Sequence, residues 1–335
     1  MSRRSALRLV GGAVRLGVAM ATGRPLPFAI TFILTHRCNL RCAHCNVPDA
    51  ARDEMSADEF CRAIDELAGA GMARASFSGG EALLRDDALA IVRHARARGL
   101  HTSLNSNGWL AADRLDELAA TLDMLVLSLD GPEEIHDRIR GRRGSFARVI
   151  RALDGARERG LPTATITVLS SANLHAVDDV LRLAERHGAW AYFQPAYNDC
   201  FGHAAGLDPA LVYADLAAGL GDARAAGRPV GASSGYLARL GRGPRFSDCA
   251  RCTAGRRFAT VMPDGRVVPC HLVSTERTWP DGRAVGFHRA FAALGRRAPG
   301  PGCAISPYQE SDLIFGLDRG AVVAAVRRLA GPPRV

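Results

Sequence analysis

Apolar and amphipathic segments alternate along the first two thirds of the chain. Short apolar runs, each typical of a buried strand, occupy residues 28–34, 74–80, 100–108, 124–131, 163–170 and 190–196. Apolar residues at helical spacing recur between these runs, at residues 56–71, 86–98, 112–120, 145–159 and 176–187. Strands that alternate with helices predict an α/β fold of parallel β/α units with right-handed connections.

Polar and glycine-rich residues mark the ends of four predicted strands. They are THRCNLRCAHCN (35–46), FSGGEALL (77–84), LNSNG (104–108) and SLDG (128–131). In a parallel β/α barrel, the carboxyl ends of the strands form the functional face. We therefore expect the chemistry of this protein to gather at one edge of the sheet.

The pattern changes after residue 200. Residues 201–227 predict a helical connector, residues 231–235 a linker, and residues 318–331 a short amphipathic helix. Between the last two, the segment RRFATVMPDGRVVP (256–269) predicts a β-hairpin, because two β-like arms flank an MPDG turn.

The formal net charge is +9, and the arginines are spread over helix-like segments of the chain. Dispersed arginines predict solvated helix faces, so no nucleic-acid partner is expected. The sequence contains no apolar run of about 18 residues, the length that would predict a membrane span. Residues 2–23 predict a basic amphipathic helix that packs on the domain, with contact to a membrane or a partner as the alternative.

Nine cysteines are grouped towards the two ends of the chain. An odd number with this distribution is unlike the disulfide framework of a secreted protein. It indicates metal ligation in a reducing compartment, and we therefore expect a cytoplasmic location.

The first cysteine group, Cys38, Cys42 and Cys45, has the spacing C-x3-C-x2-C. Three thiols within eight residues are suited to one compact metal centre. Zinc held by these thiolates and His44 is one interpretation, and a redox disulfide is another. The third is a [4Fe–4S] cluster that keeps one iron free of protein ligands.

The second group consists of Cys249, Cys252, Cys270 and Cys303. The predicted hairpin would bring Cys252 and Cys270 together. Four cysteines with one C-x2-C pair suit a zinc ribbon, and an iron–sulfur cluster is the alternative.

The triple-cysteine loop, the SGGE segment and SLDGPEEIHDRIRGRRGSF (128–146) together resemble the radical S-adenosylmethionine (SAM) superfamily. The resemblance covers about residues 28–200 and implies a partial (β/α)6, TIM-like barrel. It also implies a [4Fe–4S] cluster on Cys38, Cys42 and Cys45, with SAM bound to the unique iron. In that family the reduced cluster cleaves SAM, and the resulting 5′-deoxyadenosyl radical abstracts a hydrogen atom from the substrate.

The same resemblance implies residues that contact SAM. They are Gly79, Gly80, Glu81, Ser106, Asn107, Ser128, Asp130 and Arg140. Ser128 and Arg140 would meet the carboxylate of SAM, and Glu81 or the adjoining carbonyls would meet its ammonium group. Asp130 lies where a ribose or substrate hydroxyl could be met.

The spacing C-x12-G-x4-C from Cys252 through Gly265 to Cys270 resembles the SPASM and twitch domains, which carry auxiliary clusters. The resemblance implies one auxiliary [4Fe–4S] cluster on all four cysteines of the second group, in a small α+β, twitch-like domain. The implied organisation is an N-terminal helix at 1–27, a barrel at 28–200, a connector at 201–239, the twitch-like domain at 240–310, and a C-terminal helix and tail at 311–335.

The function implied by the resemblance is an enzymatic oxidation or bond-forming modification of a small molecule or peptide. Electrons would come from a flavodoxin- or ferredoxin-type donor. The sequence shows no evident peptide-recognition extension, which favours a small or mid-sized substrate over the alternative, maturation of a ribosomal peptide or protein side chain. Asp199 and Cys200 follow the sixth strand and are candidates for proton or hydrogen transfer. A zinc-binding interaction protein without enzymatic activity is the alternative of another class.

Overall fold

A computed structural model describes residues 12, 15–45, 47, 53–196, 212–243, 252–270, 278–295, 305–329 and 331. Among the helices in these ranges, none combines the length and the apolar character that a bilayer crossing requires.

One eight-stranded sheet, in the order β6-β5-β4-β3-β2-β1-β7-β8, forms the centre of the fold. The strands are β1 Ala29–Thr35, β2 Arg74–Gly79, β3 His101–Ser106, β4 Met124–Ser128, β5 Thr163–Leu169, β6 Trp190–Pro195, β7 Phe258–Val261 and β8 Val267–Val268. Neighbours from β6 to β7 pair in parallel, and β7 and β8 are antiparallel. The six predicted strands and the α/β class are confirmed, and the sheet is an open, partial barrel.

Helices follow most strands, as the alternation predicted. They are α1 at 15–22, α2 Ala57–Gly69, α3 Ala88–Ala97, α4 Leu115–Thr121, α5 Glu133–Arg140, α6 Ser145–Glu158, α7 Val177–His187, α8 Tyr213–Ala225, α9 Ser234–Leu240, α10 Gly282–Val285, α11 Phe287–Ala292, α12 Ser306–Phe315 and α13 Arg319–Leu329.

Helix α2 shows how local sequence determines an element. Ser56 caps its first turn through the amide of Glu59, and the Glu59 carboxylate accepts from the amide of Ser56, which completes a capping box. Its fully buried residues Phe60, Ile64 and Leu67 recur at helical spacing. The helix therefore presents one continuous apolar stripe to the sheet.

The two faces of β1 differ in burial. Ile30, Phe32 and Leu34 are at most 1% exposed. The intervening residues Thr31 and Ile33 are half-buried. The period of two places the first set under the helices and the second in the interior of the barrel. The rim of this interior is where the carboxyl ends of the strands converge.

Two parts of the chain differ from the predicted elements. A separate helix, α5, begins directly after Pro132, in a stretch for which the alternating pattern predicted no helix of its own. Residues 231–235 do not form the expected linker, because Ser233 is fully buried and its hydroxyl caps α9 through the amide of Tyr236. Its own amide donates to Glu310, 2.6 Å away, which fixes this segment to α12.

The predicted hairpin is present as β7 and β8, and β7 continues the barrel sheet beside β1. Ala29 is in register with Phe258. Two further contacts join the same regions, since Met55 donates its amide to the carbonyl of Pro263 and Glu66 accepts from the amide of Phe287. The described part of the second cysteine region thus shares a hydrogen-bonded sheet with the barrel.

We expect Gly80→Ala to destabilise the protein by more than about 2 kcal/mol. A Cβ at Gly80 would lie 2.4 Å from the carbonyl oxygen of Arg37 and 2.6 Å from that of His36, so two backbone segments would have to separate. Gly219, inside α8, is the matched control, because its Cβ would meet nothing within 4 Å. Gly219→Ala should therefore stabilise by roughly 0.5–1 kcal/mol. Urea denaturation followed by circular dichroism measures both, and equal midpoints for the two variants would contradict the prediction.

Candidate functional site

The loop that carries Cys38, Cys42 and Cys45 follows β1 at the rim of the barrel. The ends of β1 and β2 approach closely there. The amide of Gly80 donates to the carbonyl of Thr35 at 2.8 Å, and the amide of Glu81 donates to that of Arg37 at 2.9 Å. A Cβ at Gly79 would lie 2.3 Å from the carbonyl oxygen of Thr35, and φ at Gly79 is +154°. Both glycines are therefore needed for this contact between main chains.

A buried arginine binds main-chain carbonyls next to the start of the loop. Arg85 is 7% exposed and donates to the carbonyls of Leu34 and Met55 and to the carboxylate of Glu54. Glu54 also accepts from the hydroxyl of Thr35. Neither Arg85 nor Glu54 was singled out from sequence, because their partners lie far from them along the chain.

Glu81 joins the second strand to the third. Its carboxylate accepts from the hydroxyl of Ser106 at 3.0 Å, the amide of Asn107 at 2.8 Å and the amide of Leu83 at 3.2 Å. Glu81 is 1% exposed. Burial raises its pKa, while these hydrogen bonds act in the opposite direction. The carboxylate is thus engaged inside the protein by donors from β3 and from the turn after β2.

Asn107 reaches the cysteine loop directly. Its side-chain Nδ2 lies 2.8 Å from Oδ1 of Asn39 and 3.8 Å from Sγ of Cys38. Its Oδ1 accepts from the amide of Trp109 at 3.0 Å. Since an amide N–H can only donate, this bond fixes which end of the Asn107 carboxamide faces the loop.

Arg140, the last residue of α5, lies on the other side of the loop. Its Nε donates to Oδ2 of Asp130 at 2.6 Å, and its Nη1 lies 3.7 Å from Sγ of Cys42. Both charged side chains are buried, with Asp130 wholly inaccessible. Burial disfavours the charged carboxylate, but Arg140 and the His44 and His136 imidazoles hold the pKa of Asp130 below its usual range. The structure therefore joins Arg140 to Asp130 and to the loop, while Ser128, half-buried, ends β4 two residues before Asp130.

Two backbone contacts complete the support from α5. The amide of Ala43 donates to the carbonyl of Ile139 at 2.8 Å. A Cβ at Gly141 would lie 2.5 Å from the carbonyl of Arg41, and φ at Gly141 is +65°. Arg142 then donates to the carbonyl of Asn39 at 3.1 Å. Arg142 was not predicted from sequence, although its position in the RGRR run beside Arg140 is the available signal.

The three cysteines are partly buried, and no disulfide joins any of the six cysteines that the structure describes. Burial raises the pKa of Cys38, and the neighbouring Cys42, Glu81 and Cys45 act in the same direction. Three thiols on one short loop, two of them faced by N–H donors from Asn107 and Arg140, fit a thiolate-ligated iron–sulfur cluster. Burial, with Arg140, lowers the pKa of His44 to about 4, so this imidazole is neutral at pH 7.

Of the second cysteine group, the structure describes Cys252, which is half-buried, and Cys270, which is 4% exposed. The hairpin brings their segments together, since a Cβ at Gly255 would lie 3.4 Å from Cβ of Pro269. The predicted ligands Cys249 and Cys303, and the candidates Asp199 and Cys200, lie outside the described residues.

Comparison with known proteins relates this chain to enzymes. Residues 32–184 match the family model described as the radical SAM superfamily. The PqqA peptide cyclase of Rhodopseudomonas palustris is 32% identical over 260 residues, which cover 75% of this chain and 68% of the relative. The PqqA peptide cyclase of Bradyrhizobium diazoefficiens is 31% identical over 263 residues, which cover 75% of this chain and 68% of that relative.

Solved structures confirm the fold. Streptococcus suis SuiB bound to S-adenosylmethionine aligns with a TM-score of 0.64 at 15% identity, over 82% of this chain and 67% of SuiB. The anSMEcpe protein with bound AdoMet aligns with a TM-score of 0.61 at 17% identity, over 90% of this chain and 99% of anSMEcpe. Since the first cyclase is 32% identical over 75% of this chain and the family model matches residues 32–184, this chain belongs to the radical SAM superfamily, whose members use a [4Fe–4S] cluster and SAM.

Proposed function

We propose that this protein modifies a peptide by radical SAM chemistry that begins at the loop of Cys38, Cys42 and Cys45. The observation that carries the proposal is the 32% identity to a PqqA peptide cyclase over 75% of the chain. The relatives' name supports the peptide alternative over the small or mid-sized substrate that the sequence alone favoured. A cyclisation in which a new bond replaces two bonds to hydrogen is a two-electron oxidation: the SAM-derived radical takes one hydrogen atom, and the second electron and proton leave separately. This agrees with the oxidative or bond-forming outcome expected from the sequence.

The three thiols are the proposed ligands of the SAM-binding cluster. When bound, the cluster supplies one electron to SAM and so generates the species that abstracts a substrate hydrogen atom. The chain holds the loop in place from three sides, through Gly80, Asn107 and Arg140. This support fixes the loop where the strands converge, beside the interior of the barrel that would receive the substrate.

The proposed SAM contacts divide into direct and supporting residues. Ser128 and Arg140 are proposed for the carboxylate of SAM, and the carbonyls of Gly79, Gly80 and Glu81 for its ammonium group. Asp130 is wholly buried on Arg140, so we assign it the orientation of that guanidinium.

Ser106 and Asn107 support the site from β3. Ser106 donates to Glu81 and thereby fixes the turn that follows β2. Asn107 bonds to the cysteine loop itself.

An auxiliary [4Fe–4S] cluster on Cys249, Cys252, Cys270 and Cys303 is the proposed acceptor of the electron released when the substrate radical is oxidised. Four protein thiolates favour electron transfer over substrate coordination. Cys252 and Cys270 support this proposal because the hairpin carries both to one end. A flavodoxin- or ferredoxin-type protein is the proposed source of the first electron.

Cys42→Ala should abolish formation of 5′-deoxyadenosine by anaerobically reconstituted protein with a chemical reductant. The full chain should bind about eight irons as two clusters, and the variant should lose about half. Cys61→Ala is the control, because Cys61 lies on α2 and outside the loop. Full SAM cleavage by Cys42→Ala, or colourless protein with bound zinc, would refute the assignment.

Cys270→Ala should retain SAM cleavage but stop substrate turnover, since its thiol belongs to the proposed electron acceptor and not to the SAM site. The ratio of 5′-deoxyadenosine to modified product, measured by liquid chromatography and mass spectrometry, should rise steeply. Cys252→Ala, at a less buried position, should give the same uncoupling. Normal turnover by both variants would exclude this role for the second group.

The peptide proposal can be tested with short peptides encoded beside the gene. Incubation with SAM and a reductant should remove the mass of two hydrogen atoms from one of them, as bond formation requires. Scrambled peptides of the same composition serve as controls. A protein that cleaves SAM, leaves every such peptide unchanged and converts a small molecule would overturn the peptide assignment and keep the radical chemistry.

A further inference from the structure

Two buried side chains direct N–H groups at the sulfurs of the cysteine loop. Nη1 of Arg140 lies 3.7 Å from Sγ of Cys42, and Nδ2 of Asn107 lies 3.8 Å from Sγ of Cys38. Both distances are within the range of N–H donation to sulfur, whose larger radius lengthens the contact. The sequence motifs indicate SAM binding for these residues and give no role towards the thiols.

The donors are held by the protein itself. Arg140 is 6% exposed and is fixed by Asp130, which bonds to its Nε at 2.6 Å. Asp130 also accepts from the amide of Val168 at 3.3 Å. Asn107 is fixed by the amide of Trp109 at one end and by Asn39 at the other. Neither donor can turn away from the loop without the loss of a second hydrogen bond.

We propose that Arg140, balanced by Asp130, and Asn107 set the reduction potential of the cluster on this loop. This inference rests on the proposed ligand role of Cys38, Cys42 and Cys45. Reduction transfers one electron from a low-potential donor to the cluster, breaks no bond and needs no proton. Positive charge and N–H dipoles at the ligand sulfurs stabilise the more negative reduced form, so they raise the potential.

The charge of Asp130 opposes that of Arg140. Because the pair is buried, water screens neither charge strongly. The sulfur of Cys42 therefore experiences a guanidinium whose field is partly cancelled by a carboxylate on its far side. Loss of Arg140 and loss of the Asp130 charge should therefore shift the reduction potential of the cluster in opposite directions.

The test is a redox titration of the anaerobically reconstituted full chain without SAM, followed by electron paramagnetic resonance. The relevant signal is the one that disappears in Cys42→Ala. Arg140→Gln and Asn107→Leu should lower its potential, and Asp130→Asn should raise it. We expect a change on the order of tenfold in the reduction equilibrium for each charge variant, which is about 59 mV for a one-electron couple.

The matched controls remove the same charges from an exposed ion pair. Arg159 donates to Asp116 at 2.6 Å on the outer surface. Arg159→Gln and Asp116→Asn should leave the potential unchanged. A general loosening of the fold would not move the Arg140 and Asp130 variants in opposite directions, so the sign of the shift separates an electrostatic role from a structural one.

The outcomes separate this inference from the proposed function. If the parent protein binds no iron, or Cys42→Ala loses no signal, the proposed function itself fails. If the parent signal is present but Asp130→Asn and Asn107→Leu keep the parent potential, only this inference fails. Loss of the cluster from all three variants would show that the contacts only hold the loop, and would also overturn it. If only Arg140→Gln fails to load iron, the reduction potentials of Asp130→Asn and Asn107→Leu decide whether this inference stands.

Discussion

The close contact between the ends of β1 and β2 is the constraint on which the rest of the site depends. At Gly79 and Gly80, main chain lies against main chain at a separation that excludes any side chain. The pairing of the strands becomes irregular between Ile33 and Thr35, where β1 turns into the cysteine loop. The carbonyls of Thr35 and Arg37 then accept the amides of Gly80 and Glu81.

From this contact, a short series of hydrogen bonds leads to the thiols. The turn after Gly80 places the carboxylate of Glu81 beneath β3, where Ser106 and the amide of Asn107 donate to it. The Asn107 side chain is thereby positioned to reach Asn39 and Cys38. A bulky residue at either glycine would break the hydrogen bond from the amide of Gly80 to the carbonyl of Thr35. The cysteine loop that follows Thr35 would then shift. The glycines therefore shape the site through this packing of main chain against main chain.

The sequence predicted the elements that depend on local pattern and missed those that depend on distant partners. The capping box at Ser56 and the apolar stripe of α2 can be recognised within thirteen residues. By contrast, the pairing of Ala29 with Phe258 joins residues that are far apart along the chain, and neither segment indicates the other. The same reason explains residues 231–235, whose small residues predict a linker. Their partner Glu310, which accepts from the amide of Ser233, lies 77 positions later along the chain.

The distribution of the two cysteine groups follows from strand direction. Cys38, Cys42 and Cys45 follow the carboxyl end of β1. Cys252 precedes β7, which is parallel to β1, and Cys270 follows β8, which is antiparallel to β7. The two described cysteines of the second group therefore lie towards the amino end of β1. Seven residues of strand separate the two ends, which is roughly 20 Å at the usual rise of a β-strand.

At that separation, Cys252 and Cys270 lie too far from the first cysteine loop for both places to touch the same substrate atom. If the second group accepts an electron after hydrogen abstraction, the electron must cross the barrel, and the shared sheet fixes the distance that it crosses. The pairing of β1 with β7 therefore fixes where Cys252 and Cys270 lie relative to the first cysteine loop.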